Sequence, residues 1–313
     1  MWHASEMEQS MTNTTWQKHL TIWYQAARPR SLTATYIPVG LGGVMAWEHD
    51  QFNLFRFLLA LIGVLFLQIS ANLLNEYFDH KKGADEGKTH GLGMIIARGV
   101  LTPRQVLIGG VVTLVLGCLI GLYFVAITGP LVLWIGVAGA VVVILYTAGP
   151  LPLAYIGLGE LAVFIFMGPL IVLGTYYVLA EEVNIDTIWA SLPIAFLVAN
   201  ILHANNLRDL DADQARNKRT LAVIFGRRFA VLEHQFLTAG AFISTFILVI
   251  LNIAPVTTLI VIFLVAEAWV LGVMAQHKDN PAELHQVFVR TARLHRWFGI
   301  TYVVGWLIGV ILD

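Results

Sequence analysis

The sequence predicts an all-α, polytopic membrane protein, with nine transmembrane helices around a central cavity and cytoplasmic loops capping it. Three observations carry this. Of 313 residues, 58% are hydrophobic and 12% charged, and mean hydropathy is +0.73, whereas a soluble domain carries about 25% charged residues. The apolar residues gather into nine runs, near 32–47, 54–78, 104–127, 130–148, 157–180, 186–208, 231–251, 255–276 and 296–312, most of them close to the roughly 20 residues that cross a bilayer. The charges are segregated. With a cytoplasmic N-terminus, nine spans place 18 of the 19 basic residues inside, leaving only Arg56 outside with Glu48, Asp50, Glu181, Glu182 and Asp186. That asymmetry obeys the positive-inside rule, and an even number of spans would break it. The C-terminus is then expected outside.

In chain order, Met1 to Lys18 is polar and lacks the basic and apolar regions of a signal peptide. Residues 15–31 mix Trp16, Trp23, Tyr24, Arg28 and Arg30, as expected of a segment lying at the membrane surface. The chain is accordingly one domain, residues 1–313, whose first 31 residues are a polar, interfacial segment. The first run contains Pro38, which membrane helices tolerate. The second is followed by about 25 residues rich in glycine, closed by Thr102-Pro103-Arg104-Gln105, a capping box with proline at the first helical position. Asn280-Pro281-Ala282-Glu283 is a second helix start. Leu284, Val287 and Phe288 supply an apolar side there, so a short helix resting on the membrane surface is expected. Cys118 is the single cysteine, so neither a disulfide framework nor a cysteine metal site is expected. No nucleic-acid partner is expected either, and the oligomeric state is left open.

Two acidic stretches stand at the ends of runs. Asn205 to Thr220 reads N-N-L-R-D-L-D-A-D-Q-A-R-N-K-R-T. Read as a helix, Asn205, Asp209 and Asp213 share one face. Such a row needs something positive against it, a divalent cation or a basic cluster, and Arg208, Arg216, Lys218 and Arg219 suit a polyanion bridged by a metal. Asn75 and Asp79 repeat the Asn-x-x-x-Asp spacing four runs earlier, followed by Asp85. The pair suggests a four-helix unit used twice, with the two motifs facing each other across a cavity. Oxygen ligands without thiolate or clustered histidine select Mg²⁺, or Mn²⁺, over zinc. Mg²⁺ is usually completed by phosphate oxygens, so a bound diphosphate is the natural third party. Lys81, Lys82, Lys88, Arg98 and Lys218 can neutralise its charge.

These residues resemble the UbiA superfamily of membrane prenyltransferases. Its first signature, N-D-x-x-D with a further Asp, is matched by Asn75-Glu76-x-x-Asp79 and Asp85, with Glu76 in place of the usual aspartate. Its second, D-x-x-x-D, is matched by Asp209 to Asp213. The segments Tyr77-Phe78-Asp79-x-x-x-Gly83-x-Asp85, Asn205-Asn206-x-Arg208-Asp209, Lys218-Arg219-Thr220, Arg28-Pro29-Arg30, Gly157-Leu158-Gly159-Glu160 and Gly174-Thr175-Tyr176-Tyr177 are similar to the 1,4-dihydroxy-2-naphthoate polyprenyltransferase branch. The likeness covers roughly residues 25–310. The chain departs from the pattern at 146–153, which has no charge, and after the first motif, where G-P-x-R is absent and Arg98 is the candidate substitute.

The resemblance implies transfer of a polyprenyl group from an allylic diphosphate to an aromatic acceptor, inside a prokaryotic plasma membrane. In the naphthoate branch CO₂ is lost and demethylmenaquinone forms. It implies catalytic roles for Asp79, Asp209 and Asp213. Metal ligation falls to Asn75, Asp79, Asp85, Asn205, Asp209 and Asp213, and diphosphate contacts to Lys81, Lys88, Arg98 and Lys218. Asp85 and Asp211 can bind directly or through metal-bound water. An allylic cation needs a dry cavity with π-faces. Tyr77, Tyr146 and Tyr155 are candidates for these, with ordinary packing the alternative. Glu160 is either an acceptor contact or a helix N-terminal charge. His203 is read as structural, and Glu267 as hydrogen-bonded across helices or protonated. Other acceptors (4-hydroxybenzoate, homogentisate, haem or a lipid alcohol) remain alternatives within the superfamily. An ion transporter is the alternative from another class.

Overall fold

The computed structural model describes residues 15–83, 94–150 and 152–312, and the described residues are helical with no strand. Helix α1 (Thr15–Ala26) precedes Arg28, whose left-handed φ of 54° turns the chain into a 3-10 turn, Pro29–Leu32. Helices α2 (Thr33–Glu48), α3 (Leu54–Lys81), α4 (Pro103–Thr128) and α5 (Pro130–Leu145) follow. The capping box at α4 forms as expected: Gln105 N donates to Thr102 Oγ1 and Thr102 N to Gln105 Oε1. After a 3-10 turn at Leu153–Tyr155 come α6 (Gly159–Met167), α7 (Pro169–Ala180), α8 (Asp186–Arg208) and the short α9 (Leu210–Ala215). Helix α10 (Leu221–Ile250) leads to a 3-10 segment, Val256–Leu264, which runs into α11 (Val265–His277), and α12 (Pro281–Leu312) ends the fold.

Seven of these are long and apolar enough to cross a membrane: α3, α4, α6 with α7, α8, α10, the 3-10 segment with α11, and α12. The shorter α2 and α5 occupy the first and fourth apolar runs. The large apolar side chains on the outer surface, such as Leu119 and Leu122 on α4 and Trp134 and Val137 on α5, suit a surface whose solvent is lipid rather than water.

Helix α8 is the hub, packed against α2, α6, α7, α10 and α12. Its neighbours supply the core, with Tyr176, Phe298, Tyr302 and Trp306 fully buried around Ile194 and Leu197. The run 157–180 is two helices meeting at Gly168. A β-carbon there would lie 2.4 Å from that of Ala195, so glycine lets the α6–α7 corner touch α8, and Pro169 starts the second helix. One sequence expectation is corrected: residues 281–312 form one continuous helix, not a surface helix followed by a span. Leu284, Val287 and Phe288 are buried in the protein, each no more than 3% exposed, because their apolar side finds α8 and its neighbours rather than lipid.

Candidate active site

Helices α3, α4, α5, α6, α7 and α8 surround a cavity of about 420 Å³. Its wall is apolar along most of its depth, through residues such as Val64 and Leu67 of α3, Ile120 and Phe124 of α4, and Ile135 of α5. One end is polar. There Asn75 and Asp79, from the last turns of α3, share the cavity wall with Asn205 and Asp209, from the end of α8. The repeated Asn-x-x-x-Asp spacing thus delivers both pairs to one space, because in each helix the two side chains are one turn apart on one face.

Each pair is already held by donors. Thr147 Oγ1 donates to Asn75 Oδ1 at 2.9 Å and Tyr155 OH to Asp79 Oδ1 at 2.8 Å. Lys82 donates to the Thr147 carbonyl at 2.7 Å and lies 4.5 Å from the Tyr155 ring centroid. Burial pushes the Lys82 pKa down, against the pull of Asp79. On the other side, Arg208 grips both oxygens of Asp209 at 2.6 and 2.7 Å and donates to Asn205 Oδ1 at 2.8 Å. Helix α8 ends at Arg208, and the bond from Asp213 N to the Asp209 carbonyl carries helical spacing across the break. Asp213 is buried beneath the wall, paired with Lys218 at 3.2 Å. Burial pulls the Lys218 pKa down, but Asp213, Asp79 and Asp209 outweigh it and hold the ammonium above the ordinary lysine value.

The other candidates separate. Lys218 and Tyr146 line the cavity, while Lys81 and Arg98 are exposed and outside its wall. Tyr77 packs against the buried cluster that includes Ala26 of α1, Leu73 and Ile95. Asp85 and Lys88 lie outside the described residues. Glu160 sits behind the wall, accepting from Asn206. Among the described residues, the group of three metal-capable side chains whose ligand atoms all lie within 4.8 Å of one another is Glu160, His203 and Glu233, not the aspartates. Glu267 is bonded across helices, as one reading expected, by a two-pronged pair with Arg290 at 2.8 and 2.6 Å.

Glu76, at the position of the signature's second aspartate, is 4% exposed and fully engaged. It takes Arg28 Nη2 at 2.6 Å, Met94 N at 3.0 Å and Ile96 N at 3.3 Å. Its longer arm ties the segment before α2 and the turn at 94–99 to the end of α3. Sequence reasoning missed Thr147, Arg28 and Asn206 as wall residues. Arg28 and Asn206 do belong to segments that carry the family resemblance, and Thr147 to the uncharged stretch at 146–153 that departs from it.

The oxygen donors fit a hard divalent cation: carboxylates and carbamoyl oxygens converge on one cavity end, and the lone pairs a cation would take are those that Thr147, Tyr155 and Arg208 hold.

Known proteins resemble this chain along most of its length. The chain is 35% identical over 288 residues to a 1,4-dihydroxy-2-naphthoate octaprenyltransferase of Bacillus subtilis, covering 92% of each chain. It is 34% identical to the Escherichia coli enzyme of the same name, over 71% of this chain and 74% of that one. Among solved structures, a UbiA homolog from Aeropyrum pernix superposes with a TM-score of 0.68 at 14% identity, covering 87% and 97% of the two chains. One from Archaeoglobus fulgidus bound to GPP and Mg²⁺ gives 0.61 at 15%, covering 90% and 99%. The profile of the UbiA prenyltransferase family matches residues 36–299. The chain is an integral membrane protein and belongs to the UbiA prenyltransferase family.

Proposed function

We propose that the protein transfers a polyprenyl group from an allylic diphosphate to 1,4-dihydroxy-2-naphthoate, with loss of the acceptor carboxylate, giving demethylmenaquinone. The observation that carries this is one cavity with two chemistries: an acidic, amide-rich end and a long apolar wall. The names of the relatives from B. subtilis and E. coli support the acceptor, and the Archaeoglobus homolog with GPP and Mg²⁺ supports the donor and the metal.

Asn75, Asp79, Asn205 and Asp209, with Asp213 and Asp85 in support, would hold Mg²⁺, or Mn²⁺. When bound, such a cation offsets the charge that develops on the departing diphosphate. Arg208, released from Asp209, and Lys218 would donate to phosphate oxygens, and Lys81, Lys88 and Arg98 are further candidates. Thr147 and Tyr155 occupy lone pairs of the first pair until a cation takes them. The apolar wall receives the prenyl chain and excludes water, which protects an allylic cation from quenching. Tyr146 lines the same space, and its ring would stabilise a cation there.

Nine spans, a single domain, a cytoplasmic N-terminus and loops, an outer C-terminus and a prokaryotic plasma membrane complete the reading. The segregation of 18 of 19 basic residues supports that orientation. The test is an assay of the purified protein with a polyprenyl diphosphate, Mg²⁺ and a panel of acceptors: dihydroxynaphthoate, 4-hydroxybenzoate, homogentisate, haem and a lipid alcohol. Prenylation of dihydroxynaphthoate with CO₂ release is expected, and turnover of another acceptor in its place overturns the assignment.

A further inference from the structure

Asn206 lines the cavity beside Asn205, and its amide is oriented from behind. Its Nδ2 donates to Glu160 Oε1 at 2.9 Å. A carboxylate only accepts, so the NH₂ must face it and the carbamoyl oxygen turns the other way. Glu160 is fixed in turn by His203. The imidazole Nε2 lies 2.7 Å from the Ala230 carbonyl, which obliges that nitrogen to carry a proton. Its Nδ1 faces Glu160 at 3.3 Å and Glu233 at 3.5 Å. The His203 ring, 0% exposed and set against both carboxylates, therefore holds the Glu160 side chain, itself 4% exposed. Among the described residues none is seen to donate to the Asn206 carbamoyl oxygen.

We infer that Asn206 selects the acceptor, its Oδ1 taking a hydrogen bond from an acceptor hydroxyl, with Glu160, His203 and Glu233 as positioning residues. This rests on the proposed prenyl transfer to a hydroxyarene. A site that presents a lone acceptor rewards a ligand carrying O–H and penalises the ether that lacks it, because the buried oxygen is then left unpaired. The penalty for one such bond is about tenfold in binding.

The full-length protein, wild type and Asn206→Ala, is assayed with Mg²⁺ and a polyprenyl diphosphate, using the two monomethyl ethers of 1,4-dihydroxy-2-naphthoate as competitive inhibitors. Inhibition constants report binding without requiring the ethers to react. At least one ether is expected to bind wild type about tenfold more weakly than the parent acceptor, with that gap falling to about twofold in Asn206→Ala. The KM for the diphosphate and the Mg²⁺ activation constant stay unchanged. Glu160→Leu, which frees the amide to rotate, narrows the same gap. Equal binding of both ethers to wild type overturns the inference and needs no variant, should Asn206→Ala not fold. So does a gap that persists in the variant, or a shifted Mg²⁺ requirement, which would make Asn206 a metal ligand. If wild type turns over a different hydroxyarene, the naphthoate reading fails, and the ethers of that substrate test Asn206 in the same way.

Discussion

Replacing Lys218 by methionine keeps the reach of the side chain and removes its charge. The partner, Asp213, is 1% exposed and Lys218 is 7% exposed, 3.2 Å apart, so the variant strands a carboxylate away from solvent. Breaking a buried pair on one side costs about 3–5 kcal/mol. At about 2–4 °C per kcal/mol for larger domains, the thermal midpoint should fall by on the order of 10 °C. Intrinsic fluorescence of the nine tryptophans during a thermal ramp in detergent measures it. The double variant Lys218→Met with Asp213→Asn removes the stranded charge and should regain most of the loss. The dependence on pH follows in sign. The folded-state Lys218 pKa is raised, burial being outweighed by Asp213, Asp79 and Asp209. Its contribution is therefore fully present below the unfolded lysine value of about 10.4, and is lost only as pH rises through the higher folded value. The gap between wild type and variant should stay level from about pH 7 to about pH 9. A loss below about 1 kcal/mol, or a double variant as unstable as the sum of its parts, would refute the buried-pair reasoning.

Glu76→Gln should lose about 1.5–3 kcal/mol, the worth of a charge-assisted bond to Arg28, and hydrogen exchange at the Met94 and Ile96 amides should quicken; unchanged protection there would contradict the clasp. Tyr155→Phe removes the O–H that competes for Asp79, so the Mg²⁺ activation constant should fall by about fivefold, the equivalent of about 1 kcal/mol. A constant that stays level or rises contradicts this. Gly168→Ala forces its β-carbon to 2.4 Å from that of Ala195 and should cost about 1–3 kcal/mol. Adding Ala195→Gly should restore the midpoint, and no recovery would mean the strain lies elsewhere.

Much of the helix count was legible because lipid imposes long apolar runs, and the positions of α3, α4 and α8 follow those runs closely. The surface helix expected at 281–288 was not found. An apolar stripe of Leu284, Val287 and Phe288 reads the same whether it faces lipid or α8, and only the packing decides. The break at Gly168 was hidden for a related reason: the close approach of Ala195 comes from a helix far along the chain. At the site, the Asn75–Asp79 and Asn205–Asp209 pairs were legible because i, i+4 spacing fixes a shared face. Their holders were not. Thr147 sits in the stretch 146–153, whose signal was its lack of charge, and Tyr155, a candidate for its ring, meets α3 through its hydroxyl instead. Glu160 carried a signal as a charge at a helix start. That it acts from behind the wall through Asn206 depends on His203 and Glu233, from two other helices.

On the proposed function, the acidic ends of α3 and α8 form one site for a divalent cation and a diphosphate. Diphosphate release from a polyprenyl diphosphate, measured against Mg²⁺ concentration for wild type, Asp79→Ala and Asp209→Ala, tests it most directly. Each single substitution should abolish Mg²⁺-dependent release by itself, because each removes one side of the same clamp. Turnover retained in either variant at wild-type Mg²⁺ dependence would contradict the account.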